Sequence, residues 1–258
     1  ADLRTVAEQS GFSRTGRYDE VVSLCERFAQ TFPSQVRCQR FGVTPQGRPM
    51  LALVASADGT FEPESIRRQA RPVVLVQGCV HAGEVDGKDA GLWLLRSLLT
   101  GDALPGLLSK LTLVFVPVFN VDGHERFAAH QRPNQNGPVE TGWRVNAQNL
   151  NLNRDFAKAE TTELQAMLGL LQRFDPLLYV DLHVTDGADF LQLFRRTLAY
   201  QKLALWRQSR DMEAPDTVLT ELFGALLALA RACQGDAASA APMLTCLDID
   251  ALRLSPTP

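Results

Sequence analysis

Four histidines occur in the chain, His81, His124, His130 and His183, and two of them stand directly after apolar runs of strand length. His81 follows Pro72-Val73-Val74-Leu75-Val76-Gln77-Gly78 and opens the string His81-Ala82-Gly83-Glu84, so an imidazole and a carboxylate share one loop and can turn toward one point. His183 ends the strand Leu178-Tyr179-Val180-Asp181-Leu182, which a parallel sheet brings to the same edge. Two imidazoles and one carboxylate are the three-ligand set of a catalytic zinc site, with ligands at ~2.0–2.2 Å and a fourth position left to water. Such an ion supplies a nucleophile near neutral pH and a Lewis acid for a carbonyl. Against this, a single His at a strand end is ordinarily a hydrogen-bonded structural residue, and His-x-x-Glu alone is a weak pattern. Asp181 and Asp186 flank His183, and each reads equally as a carboxylate orienting the imidazole or as a solvated or capping residue. His124 and His130 follow the Asn120 to Gly123 turn and read as solvated loop residues.

The elements that must position these groups follow from periodicity. Tyr18 to Phe32 places Val21, Val22, Leu24, Cys25 and Phe28 on one helical face that ends at Pro33. Gln39 to Val43 and Met50 to Ala55 flank Thr44-Pro45-Gln46-Gly47-Arg48 and read as a β-hairpin. Val73 to Gly78 has the continuous apolar character of a strand covered on both faces. A helix over Lys88 to Thr100 is stopped by Gly101. Leu111 to Phe119 is a second buried strand, Thr161 to Phe174 a further helix, and Leu177 to Leu182 a third strand. This alternation predicts an α/β fold, a mixed and mostly parallel central sheet with helices on both faces. Ligands gather at the carboxyl ends of such strands.

Composition narrows the partner. With 258 residues, 45% hydrophobic and 21% charged, the chain is read as one domain spanning 1–258 with ample core. A net charge of -3, from 26 Lys+Arg and 29 Asp+Glu, gives no electrostatic case for nucleic acid or an anionic membrane. The longest apolar stretches, such as Phe223 to Ala230, fall short of the ~18–20 residues of a membrane span. The expected partner is therefore a small molecule or a peptide, and oligomeric state is left open. The five cysteines, Cys25, Cys38, Cys79, Cys233 and Cys246, have no CxxC spacing and read mainly as small buried hydrophobes. A Cys25 to Cys38 disulfide in an oxidising compartment stays open. The chain starts Ala1-Asp2-Leu3 without Met and shows no signal peptide, as processing or trimming would leave it; a periplasmic or secreted location is favoured over the cytoplasm.

The sequence resembles the zinc metallocarboxypeptidase family over most of residues 10 to 190. Its anchors are Gly78-Cys79-Val80-His81-Ala82-Gly83-Glu84, Pro117-Val118-Phe119-Asn120-Val121-Asp122-Gly123, Leu152-Asn153-Arg154-Asp155-Phe156 and Asp181-Leu182-His183. The resemblance implies a carboxypeptidase-like fold and one zinc ion per chain held by His81, Glu84 and His183. It implies that Asn153 and Arg154 hold the substrate's terminal carboxylate, for which the planar guanidinium suits. It also implies that Arg144, in Gly142-Trp143-Arg144-Val145-Asn146, polarises the scissile carbonyl and stabilises the oxyanion. Asp155 stands where many members carry Asn, and the run from Asn149 to Phe156 looks like a bacterial branch.

The family mechanism also needs a Glu that moves protons, and the resemblance fades after Asp189-Phe190. Only Glu213 and Glu221 follow His183. The first lies in a polar turn and the second in a helical pattern over Thr217 to Cys233, so no base is assigned. Tyr200, the one Tyr after His183, lies in a helical segment from Arg195 to Arg207 and is not placed as a substrate cap. The favoured explanation is that the numbered chain joins distant stretches of a longer polypeptide near residue 190 and again in its tail; the alternative is a divergent metal-binding protein that has lost the base. The expected function is a zinc-dependent hydrolase cutting an amide next to a free carboxylate at peptide C-termini. Two alternatives are an N-acyl amino acid deacylase of the succinylglutamate desuccinylase and aspartoacylase type, and a non-catalytic zinc-dependent binding module.

Overall fold

The inner strands of the main sheet are apolar on both sides because helices cover both sides, whereas the edge strand Val36–Val43 carries polar, partly exposed residues. In the computed structural model, which describes residues 2–132 and 137–183, the elements run α1 (Val6–Gln9), α2 (Tyr18–Thr31), β1 (Val36–Val43), β2 (Pro49–Ala55), α3 (Pro63–Arg68), β3 (Val73–Gly78) and α4 (Asp86–Thr100). They continue with α5 (Leu107–Lys110), β4 (Thr112–Val116), α6 (Val121–Glu125), β5 (Ala128–Ala129), β6 (Glu140–Thr141), a 3-10 turn (Leu152–Arg154), α7 (Thr162–Phe174) and β7 (Leu178–Leu182).

Five strands form one sheet in the order β1-β2-β4-β3-β7. β2 pairs antiparallel with β1 and β4, while β3 pairs parallel with β4 and β7. Four strands therefore point one way and β2 the other, the mixed and mostly parallel arrangement that the alternation predicts. Alternate residues feed two cores. Val74, Val76, Leu113 and Phe115 pack with Leu24, Phe28, Leu94 and Leu95 of α2 and α4. Val73, Leu75, Val114 and Val116 pack with Leu164, Met167, Leu170 and Phe174 of α7.

Two expectations need correction. The strand predicted over Leu111 to Phe119 ends at Val116. Pro117 has no N–H for a ladder, and the chain then peels toward the end of β3, where Phe119 N–H donates to Gly78 O and Asn120 N–H to Cys79 O, both at 3.0 Å. The cysteines are not all small hydrophobes, since Cys25 and Cys38 form a disulfide that joins α2 to β1 with Cα atoms 5.3 Å apart. The apolar face of α2 seats Cys25 on the sheet beside the β1 hairpin, inside the reach of a disulfide. Cys79 is a buried free thiol. Among the described residues no helix is long and apolar enough to cross a membrane. Cys233, Cys246, Asp186, Tyr200, Glu213, Glu221 and both late helical segments lie outside the described residues.

Candidate metal centre

Gly78 of β3 and Leu182 of β7 are ladder partners, so the residues just beyond them emerge at one sheet edge. After Gly78 the chain turns through Cys79 in the left-handed region, at φ 55, which aims the next residues across the edge. Glu84 N–H donates to His81 O at 2.9 Å, closing a turn, and the Cys79 thiol donates to Glu84 O at 3.3 Å from beneath. Burial pushes the Cys79 thiol far up, which keeps it a neutral donor.

The structure brings His81, Glu84 and His183 together, with one ligand atom from each within 4.8 Å of the others. His81 Nδ1 is 2.9 Å from Glu84 Oε1 and its Nε2 is 3.2 Å from Asn151 Oδ1. Nδ1 of His183 lies 3.1 Å from Asp181 Oδ2, but out of line, so neither ring nitrogen has a hydrogen-bond partner among the described residues. A nearly buried imidazole with both nitrogens unused, beside a second imidazole and a carboxylate, is a donor set that fits a divalent ion of the zinc type.

Cations surround the carboxylate. Arg132 Nη2 donates to Glu84 Oε1 at 2.8 Å, and Arg144 Nη1 lies 4.0 Å from the same oxygen. Burial, then the like charge of Arg132, hold the Arg144 guanidinium below its ordinary value, with Glu84 opposing and Arg154 adding to the effect; an arginine so shifted stays charged. Arg132 escapes sequence reasoning, because its spacing to Glu84 matches no periodicity and its neighbours carry no motif.

Arg154 is exposed and, among the described residues, hydrogen-bonds within its own turn, donating from Nη1 to Asn153 O at 3.2 Å. Asn151 Oδ1 accepts from Asn153 N–H at 3.1 Å while touching His81, so the 3-10 turn is tied to the metal loop. Asn120 makes a second tie. Its side chain donates to Val80 O at 3.5 Å and Arg144 O at 3.3 Å, and accepts from Gly123 N–H at 3.1 Å. Buried Asp122 anchors the β1–β2 turn, accepting from Thr44 Oγ1 at 2.8 Å, Gln46 N–H at 3.1 Å and Arg48 Nη1 at 2.6 Å.

Backbones touch here. A Cβ on Gly142 would lie 2.7 Å from Ala82 O and 2.6 Å from His124 Cα, and one on Gly83 would lie 2.7 Å from Gly142 O. This packing overturns the reading of His124 as solvated, for it is fully buried under Gly142. Asn120 to Gly123 is the start of a short helix wedged between the hairpin turn and the Gly142 loop, not an exposed turn. Its Nδ1 is 3.6 Å from Glu125 Oε1, beyond hydrogen-bond range, and burial pulls its pKa below the ordinary value. His130 is exposed, as expected.

Comparisons with known proteins agree with this geometry. The family model described as "Zinc carboxypeptidase" matches residues 21–188. Carboxypeptidase Z of Homo sapiens is 30% identical over 148 residues, 54% of this chain and 21% of that protein. Carboxypeptidase B of Helicoverpa zea is 23% identical over 142 residues, covering 53% and 32%, and the inactive metallocarboxypeptidase ECM14 of Saccharomyces cerevisiae is 28% identical over 118 residues, covering 44% and 26%. The match thus spans from 21% to 32% of the length of these relatives. In fold, the chain is similar to carboxypeptidase A from Helicoverpa armigera, with TM-score 0.54 and 22% identity over 67% of this chain and 47% of that one. A matched family model covering more than half of the chain, on top of this fold and this cluster, shows that the chain belongs to the zinc carboxypeptidase family.

Proposed function

We propose that this chain carries the metal and carboxylate sites of a zinc-dependent carboxypeptidase that cuts an amide next to a free carboxylate at peptide C-termini. The observation that carries this reading is the convergence of His81, Glu84 and His183 within 4.8 Å beside Arg132 and Arg144. His81, Glu84 and His183 hold one zinc ion, which when bound would supply Lewis acidity and a nucleophile at neutral pH. Arg144 points its charge where negative charge develops on the scissile oxygen. Asn153 and Arg154 anchor the terminal carboxylate, the guanidinium by paired hydrogen bonds. Asn151 and Asn120 hold the loops that carry these groups. The Cys25–Cys38 disulfide supports an oxidising compartment, periplasmic or secreted. The Asn149 to Phe156 run supports a bacterial branch of the family.

The test is a pair of measurements on the full chain. Purified protein should hold about one zinc ion per chain and release C-terminal residues from peptides, and His183→Ala should lose both properties. Zinc without hydrolysis would favour a binding module, and cleavage of N-acyl amino acids in place of peptides would favour a deacylase. Retention of zinc by His183→Ala would overturn the ligand set.

A further inference from the structure

We infer that Arg132 is a positioning residue for the metal centre, fixing the Glu84 carboxylate in the orientation from which it binds an ion and so setting the affinity of the site. The inference rests on the zinc reading above. Its ground is a specific contact. Glu84 is 3% exposed, and Arg132 Nη2 donates to its Oε1 at 2.8 Å, the same oxygen that faces His81 Nδ1 at 2.9 Å. The approach is built into the loops. A Cβ on Gly83 would meet Arg132 Cγ at 2.6 Å and Cδ at 2.9 Å, so the absence of a side chain at Gly83 is what lets the arginine stem lie over the loop and reach the next residue.

A carboxylate ligand with a charge-assisted hydrogen bond is held in one rotamer before the ion arrives, and loss of such an outer partner typically lowers metal affinity. The opposing effect is repulsion between guanidinium and cation. Arg132 keeps 18% of its side chain exposed, so water and salt weaken that repulsion, whereas its direct 2.8 Å contact with the buried Glu84 carboxylate is screened much less.

The experiment measures the zinc dissociation constant of the full chain by competition with a chromophoric chelator. The proteins are the unmodified chain, Arg132→Met, Arg132→Lys, Arg132→Gln and His183→Ala. Arg132→Met keeps an apolar stem over Gly83 and should weaken zinc binding roughly 10- to 100-fold. Arg132→Lys keeps a charged donor and should recover part of the loss, which a purely structural role would not give. Should Arg132→Met not fold, Arg132→Gln takes its place with the same expected direction. Affinity within about twofold of the unmodified chain, or tighter binding, would overturn the role of Arg132. If the unmodified chain and His183→Ala bind zinc equally, the zinc site itself is wrong; if only the Arg132 variants are unchanged, the zinc site stands and this inference falls.

Discussion

His81 and His183 meet edge to face, ring centroids 4.9 Å apart and planes at 85°, beyond the parallel ladder that pairs Gly78 with Leu182. Neither strand supplies the donor set alone. The third donor, Glu84, is placed by the turn that His81 O closes, so the cluster exists only when β3 and β7 are side by side. Formation of the sheet and formation of the site are one event, which ties metal affinity to folding.

Arg154 should act on substrate and not on metal. Among the described residues its guanidinium donates to the Asn153 carbonyl of its own turn, so Arg154→Ala breaks no tie between described elements. A hydrogen bond between charged groups is worth ~1.5–3 kcal/mol, which predicts a fall in kcat/KM of roughly 10- to 100-fold carried mainly by KM. Steady-state kinetics on a C-terminal peptide, together with zinc content, check this; lost zinc or an unchanged KM would count against the assignment.

Asn120 should be intolerant of its own isostere. Asn120→Asp keeps the acceptor for Gly123 N–H but turns the donor facing the Val80 and Arg144 carbonyls into an anionic oxygen in a fully buried place. The cost expected for an uncompensated buried charge is ~3–5 kcal/mol, read as a shift in urea unfolding. A change below ~1 kcal/mol would mean that the amide is not the tie described.

Loss of the Cys25–Cys38 bridge should destabilise the fold without touching the site. The two sulfurs close a loop of sequence separation 13, for which the chain-entropy model gives about 3 kcal/mol. Urea unfolding of the double variant Cys25→Ala and Cys38→Ala, against the oxidised chain, should show that loss. Zinc binding at low denaturant should be kept.

Acid should begin to destabilise the protein near neutrality, through His124. Its folded pKa is depressed, first by burial, so below its ordinary value of about 6.5 the unfolded state binds the extra proton and the folded state does not. Stability therefore rises with pH through that range and falls as pH drops from 7 toward 5, by up to ~1.4 kcal/mol per pH unit. Unfolding free energies of the unmodified chain and His124→Asn across that range should differ in slope, the variant being flatter. Equal slopes would remove His124 as the cause.

Much of the site was legible because its ligands stand at the ends of long apolar strands. Val73 to Gly78 and Leu178 to Leu182 read as buried from residue type alone, and placing them parallel puts His81 and His183 at one edge. What escaped notice depends on the packing of loops, which has no period. His124 follows a polar, glycine-containing segment that looks exposed, and the hairpin anchor at Asp122, the close approach of Gly142 and the Phe127 ring together bury it. The partner of Cys25 stayed open because a separation of 13 names no motif, whereas the packing of α2 on the sheet decides it. Arg132 reaches Glu84 only because Gly83 has no side chain.

The backbone contact between Gly83 and Gly142 makes the floor of the site a fixed spacing and not an adjustable one. A methyl group on Gly142 would meet Ala82 O at 2.7 Å and one on Gly83 would meet Gly142 O at 2.7 Å, so either has to part the Gly142 loop from the turn that carries His81 and Glu84. Randomising both positions and selecting for zinc binding should therefore return glycine at each, while the neighbouring exposed Trp143 tolerates broad replacement.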